Sequence, residues 1–220
     1  MEHKNIHSWD LTPKEAVELQ KKFADKIIIR KFPACRVKMV AGVDVSVKNN
    51  LSKAAIVVLT CPDLRVIEEV TYTAKTRFPY VPGLLSFREA PVILKCVEKL
   101  QNKPDVFIFD GQGLAHPRRM GLASHLGLFL QRPTIGSAKS HLYGDFRPPG
   151  GKKGNYSLIK DKDGKDIGAV LTTRGGTKPV YVSPGHLMDI PSAVDIVLKC
   201  SPKYRLPEPV RQAHRAASLA

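Results

Sequence analysis

Apolar and polar positions along the chain switch between two periods, and the switches mark out the elements. In Met39-Val40-Ala41-Gly42-Val43-Asp44-Val45-Ser46-Val47 the odd positions are apolar and alternate with Gly42, Asp44 and Ser46, the period of a strand with one buried face. Turn signals at Asn49-Asn50 and Cys61-Pro62-Asp63 separate three such runs, so the spacing predicts strands near 38–47, 54–60 and 65–74 in an antiparallel meander. Upstream, Thr12-Pro13-Lys14-Glu15 is a capping box with proline at the first helical position, and the helix it opens is predicted to run to about Ile29. Downstream, helices are predicted near 86–100, 119–131, 191–199 and 207–219, with strands near 105–110, 133–136, 155–160, 167–173 and 179–183. Val106-Phe107-Ile108-Phe109 is apolar at every position, as in a strand buried on both faces. Residues 144–154 hold two prolines and four glycines among basic residues and read as a mobile loop.

Three antiparallel strands, a helix, then a strand followed by further βα units is the element order of a ribonuclease H-like fold. The predicted class is therefore α/β, a mixed sheet flanked by helices, in a single domain over residues 1–220. Topology does not fix function.

Charge narrows the partner. The chain carries 35 Lys and Arg against 20 Asp and Glu, a net charge of +15 over 220 residues, so its surface suits a polyanion, with nucleic acid the default. The charge is spread along the chain rather than gathered in a tail. Apolar runs such as 54–59 are too short to span a bilayer, and the first residues lack the apolar stretch of a signal peptide, so no membrane partner and a cytoplasmic location are expected. Cys35, Cys61, Cys96 and Cys200 are scattered without metal-ligand spacing and read as buried thiols in a reducing compartment, which leaves open whether any two pair.

Candidate chemistry lies in the carboxylates. Asp110 ends the buried strand at the point where ligands sit in such sheets, beyond the carboxyl ends of the strands. Period-two geometry sends Asp44 to the face opposite Ala41 and Val43, so two neighbouring strands would bring Asp44 and Asp110 onto one cation. Glu89 is the third candidate. Ser86 with Glu89 three residues later matches a capping box, while Pro91 argues for an irregular turn that frees Glu89. Three carboxylates supply the hard oxygens that Mg²⁺ or Mn²⁺ prefers.

The chain resembles the endonuclease V family in Ala41–Ser46, Pro79–Glu89, Asp110–Gly113 continuing through His116–Arg119, Pro133–Lys139, Val182–His186 and Arg205–Arg211. Val81 and Ser137 depart from the residues most often found there, and neither is a presumed ligand. The resemblance implies a Mg²⁺-dependent endonuclease of DNA repair that hydrolyses the second phosphodiester bond 3′ to deoxyinosine, leaving a 3′-hydroxyl and a 5′-phosphate. It implies Asp44, Glu89 and Asp110 as catalytic carboxylates and metal ligands, with His214 beside the metal and Lys139 near the scissile phosphate. Pro79-Tyr80-Val81-Pro82 would be a wedge into the opened stack. Gly83, Gly111, Gly113 and Gly121 would admit the flipped base, and Leu85, His116 and Leu142 would close its pocket. Cleavage of inosine in RNA, or a non-catalytic nucleic-acid-binding module on the same fold, are the alternatives. A monomer is expected.

Overall fold

The computed structural model describes residues 1–218. Among these residues eight strands share one mixed sheet in the order β3-β2-β1-β4-β5-β8-β7-β6, the class read from the sequence. β1 (Met39–Lys48), β2 (Leu51–Thr60) and β3 (Val66–Lys75) form the predicted meander. Its first turn is as tight as Asn49-Asn50 allows, both residues having positive φ, which asparagine tolerates. β4 (Val106–Phe109) runs parallel to β1, and β5 (Thr134–Ala138) parallel to β4. β6 (Tyr156–Lys160), β7 (Asp166–Leu171) and β8 (Val180–Pro184) are all antiparallel to their neighbours. The short connections between these three leave no room for a crossover helix.

Helices cover both faces: α1 (Pro13–Ala24), α2 (Leu85–Lys99), α3 (Leu122–Leu130), α4 (Ile190–Lys199) and α5 (Glu208–Ala217). Among the described residues none is long and apolar enough to cross a membrane. The alternation of β1 is realised. Ala41 and Val43 pack with Phe107, Phe109 and the inward residues of α2 and α3, whereas Val40 packs with Ile108 and residues of α4 and α5. β4 is thus buried on both sides. Gly42 is the point where α5 meets the sheet: a Cβ there would stand 2.0 Å from the Pro209 carbonyl carbon and oxygen.

Several boundaries differ from expectation. The capping box at Thr12 is present, but α1 ends at Ala24 instead of near 29. The Ile28 N–H is taken by His186 Nδ1 at 3.2 Å and its carbonyl by the Leu187 N–H at 2.7 Å, so neither group is left to continue the helix. α3 starts later than predicted because Arg119 has φ +54°, and it stops at Gln131, in the left-handed region. The last position predicted for α5, 219, lies outside the described residues. Segment 144–154 is irregular as expected but tied down: Asp145 bridges to Lys160, and Lys153 Nζ donates to Ser201 O at 2.8 Å. All four cysteines are free, and Cys35 is exposed and Cys61 half-buried instead of buried.

Candidate active site

The parallel register pairs Val43 with Phe109, so the residues that follow, Asp44 and Asp110, leave neighbouring strands side by side. The Asp110 N–H donates to the Val43 carbonyl at 3.0 Å, fixing that position. α5 lies across β1 and brings His214 Nδ1 to 2.6 Å from Asp44 Oδ2. Just past β5, Lys139 Nζ sits 2.5 Å from Asp110 Oδ2. Arg205 holds the Lys139 backbone, donating through Nη2 to the Lys139 and Pro179 carbonyls at 2.8 and 2.9 Å. Asp44, Asp110 and His214 each offer a ligand atom within 4.8 Å of the others, a set able to hold a metal ion.

Glu89 stands outside this trio but within its field. Burial, then repulsion from Asp44 and Asp110, pushes its carboxyl up to about 8, against the opposing pull of Arg88. Burial and Asp110 also raise Asp44, eased by the hydrogen bond from His214 and the charge of Lys139. Crowded, desolvated carboxylates lower their energy by taking up protons or a cation. The helix around Glu89 is not the one expected. Ser86 is no cap, since α2 begins at Leu85 after Leu84 and has no side-chain cap. Its hydroxyl instead lies 2.8 Å from His125 Nδ1. The helix runs on through Pro91 without the irregular turn.

Asp44, Asp110, Lys139 and His214 line part of a cleft of about 600 Å³. The rest of its lining includes Tyr80, Val81, Pro82, Gly83, Leu85, His116, Gly121 and Leu142, with Gly111 next to Asp110. Tyr80 is 71% exposed and Leu142 46%, so both stand free at the mouth. Pro79 borders a neighbouring cavity instead. Gly113 faces β8, where a Cβ would meet the Pro184 carbonyl oxygen at 2.1 Å, so close packing against the sheet accounts for it.

This second group of lining residues is organised around one carbonyl. Gly83 O accepts from Gln20 Nε2 at 3.0 Å, His116 Nε2 at 2.9 Å and Arg118 Nη2 at 2.9 Å. Gln20 also takes the Arg118 Nε–H at 2.5 Å and donates to Met120 O at 3.1 Å. His116 Nδ1 accepts from the backbone of Arg118 at 3.1 Å, which puts its proton on Nε2. Burial pushes the imidazole down to about 4, so it is neutral. Gly83 has φ +78°, a conformation that favours glycine. Gln20 and Arg118 were missed in the sequence reading. The available signal was a glutamine inside the buried Ala16, Gln20, Phe23 stripe of α1.

Comparison with known proteins identifies one family. The family model described as Endonuclease V matches residues 21–215. An endonuclease V of Kosmotoga olearia is 49% identical over 210 residues, covering 95% of this chain and 92% of its own. The crystal structure of endonuclease V from Bacillus subtilis matches with a TM-score of 0.93 at 32% identity, covering 99% of this chain and 95% of that one. Endonuclease V of Ciona intestinalis, crystallised with a 24-mer DNA containing an inosine followed by a ribo-adenosine, matches with a TM-score of 0.83 at 31% identity over 93% of this chain and 95% of that one.

Proposed function

Because the chain belongs to the endonuclease V family of nucleases, we propose that it acts in DNA repair on deoxyinosine, hydrolysing the second phosphodiester bond 3′ to the lesion to leave a 3′-hydroxyl and a 5′-phosphate. The reading has it work as a single-domain, cytoplasmic monomer. The observation that carries it is one cleft lined both by two convergent carboxylates with His214 beside them, a set able to hold a metal ion, and by a glycine-containing recess built around the Gly83 carbonyl.

The donor set fits a hard divalent ion. Oxygens of Asp44 and Asp110 lie close together, and Glu89 is near enough for their charges to raise it. These three would hold Mg²⁺, or Mn²⁺ in its place, with His214 beside them. When bound, the ion polarises the scissile phosphate and lowers the pKa of a water. His214, hydrogen-bonded to Asp44, would orient the attacking water. Lys139 adds positive charge where the phosphate becomes more negative. Elsewhere along the cleft, Tyr80 enters the stack from the Pro79–Pro82 turn, whose two prolines limit its backbone freedom. The extracted hypoxanthine meets backbone at Gly83, Gly111 and Gly121, with Leu85, His116 and Leu142 around it. A weak inosine pair lowers the cost of extraction.

The ribo-adenosine that follows inosine in the Ciona complex favours inosine RNA as a second reading. Side-by-side cleavage of oligonucleotides containing deoxyinosine or inosine, with Mg²⁺, tests both. Faster nicking of the deoxyinosine strand at the second bond is expected; faster cutting of RNA transfers the function to RNA, and no cutting of either removes it.

A further inference from the structure

The turn that carries Tyr80 separates two cavities. Tyr80 through Gly83 line the cleft, whereas Phe78 and Pro79 line a second cavity of about 430 Å³. Aromatic side chains of Trp9, Tyr72 and Phe78 contribute to its wall, and its basic residues outnumber its one carboxylate, Asp10. Two of the cations are already engaged: Arg88 donates to the Phe78 carbonyl at 2.9 Å and Lys95 pairs with Glu98 at 2.9 Å. Lys75 and Arg77 are exposed and make no side-chain hydrogen bond or ion pair among the described residues.

Aromatic surface beside unpaired cations is the chemistry that holds a nucleotide, by stacking on the base and neutralising the phosphate. The position of the turn says which nucleotide. If the extracted base occupies the cleft, its own strand must follow the cleft to Asp44 and Asp110. The other side of the inserted turn then faces the complementary strand. Resting on that reading of the cleft, we infer that the second cavity receives the nucleotide left opposite the extracted base, with its flanking phosphates on Lys75 and Arg77.

The double variant Lys75→Ala/Arg77→Ala tests this, and both side chains are at the surface. Affinity for an inosine duplex and for the same inosine strand alone is measured by fluorescence anisotropy in Ca²⁺ across a salt series. For the duplex, the slope of log affinity against log salt should become shallower by about 1.8, two contacts at about 0.9 each, and for the single strand it should stay as in the unmodified protein. Equal change on both substrates would assign the cavity to the lesion strand, and no change on either would leave the two cations as solvated charges; each result overturns the inference. Failure of the underlying reading shows separately, as absence of any inosine preference in the unmodified protein.

Discussion

Two groups of residues along the cleft treat their polar atoms in opposite ways. Around Gly83, three donors converge on one carbonyl, Gln20 both gives and receives, and His116 is neutral. Around Asp44, carboxylates crowd together with one lysine and one histidine against them, and the carboxyls of Asp44 and Glu89 are held high. The first region has its hydrogen bonds made as it stands. The second carries repulsion that only a proton or a cation relieves, so its rigidity depends on what is bound.

The contrast breaks most completely at Asp110. Asp110→Asn should reduce nicking of an inosine duplex by about 10⁴-fold or more, through loss of charge stabilisation worth several kcal/mol. Gel-shift affinity for the same duplex should stay close to normal, because the group around Gly83 is untouched. Nicking near the normal rate would take Asp110 out of the metal site.

Next in size is the effect of pH on the metal-free protein. The Glu89 carboxyl rises from 4.5 to about 8 on folding. The stabilisation from its protonated form is therefore full below pH 4.5 and is lost as pH rises through 8. At about 1.4 kcal/mol per unit this amounts to at most about 5 kcal/mol. Thermal denaturation in EDTA should show Tm falling between pH 5 and 8.5, with Glu89→Gln flattening the slope and Mg²⁺ restoring Tm at the alkaline end. Parallel profiles for the variant and the unmodified protein would show that Glu89 does not sit in the strained cluster.

The smallest change sharpens the comparison from the other side. Gln20→Ala leaves Gly83, Met120 and Arg118 each short of a partner, a loss of about 1–3 kcal/mol. It should appear as a higher KM for inosine substrate, with kcat and the Mg²⁺ dependence nearly unchanged. A fall in kcat at constant KM would mean that the two groups are mechanically coupled.

What sequence reveals here follows the range of the interactions. The position of Asp44 depends on the period of β1, and that of Asp110 on a run of four apolar residues; both patterns are local and both hold. The end of α1 depends on His186 and Leu187, about 160 residues away, and no local pattern announces them. Ser86-x-x-Glu89 has the spacing of a cap, yet His125 takes the serine hydroxyl. Gln20 gains its role only when Gly83 and Met120 arrive, 63 and 100 residues later. Glycines mislead for a related reason: Gly83 borders the cleft, whereas Gly113 is explained by the Pro184 backbone, and the letter is the same.

Gly42 extends that point to how mutational data on this chain would read. It lies two residues from Asp44, and its missing side chain lets the Pro209 backbone rest on β1, five residues before His214. Any larger residue would lift the start of α5 and draw the imidazole from its carboxylate, whatever happened to global folding. An activity screen over all positions would therefore score Gly42 with Asp44 and His214, although its place is beneath the helix. Intolerance to substitution in this chain marks the foundations of the chemistry as well as the groups that perform it.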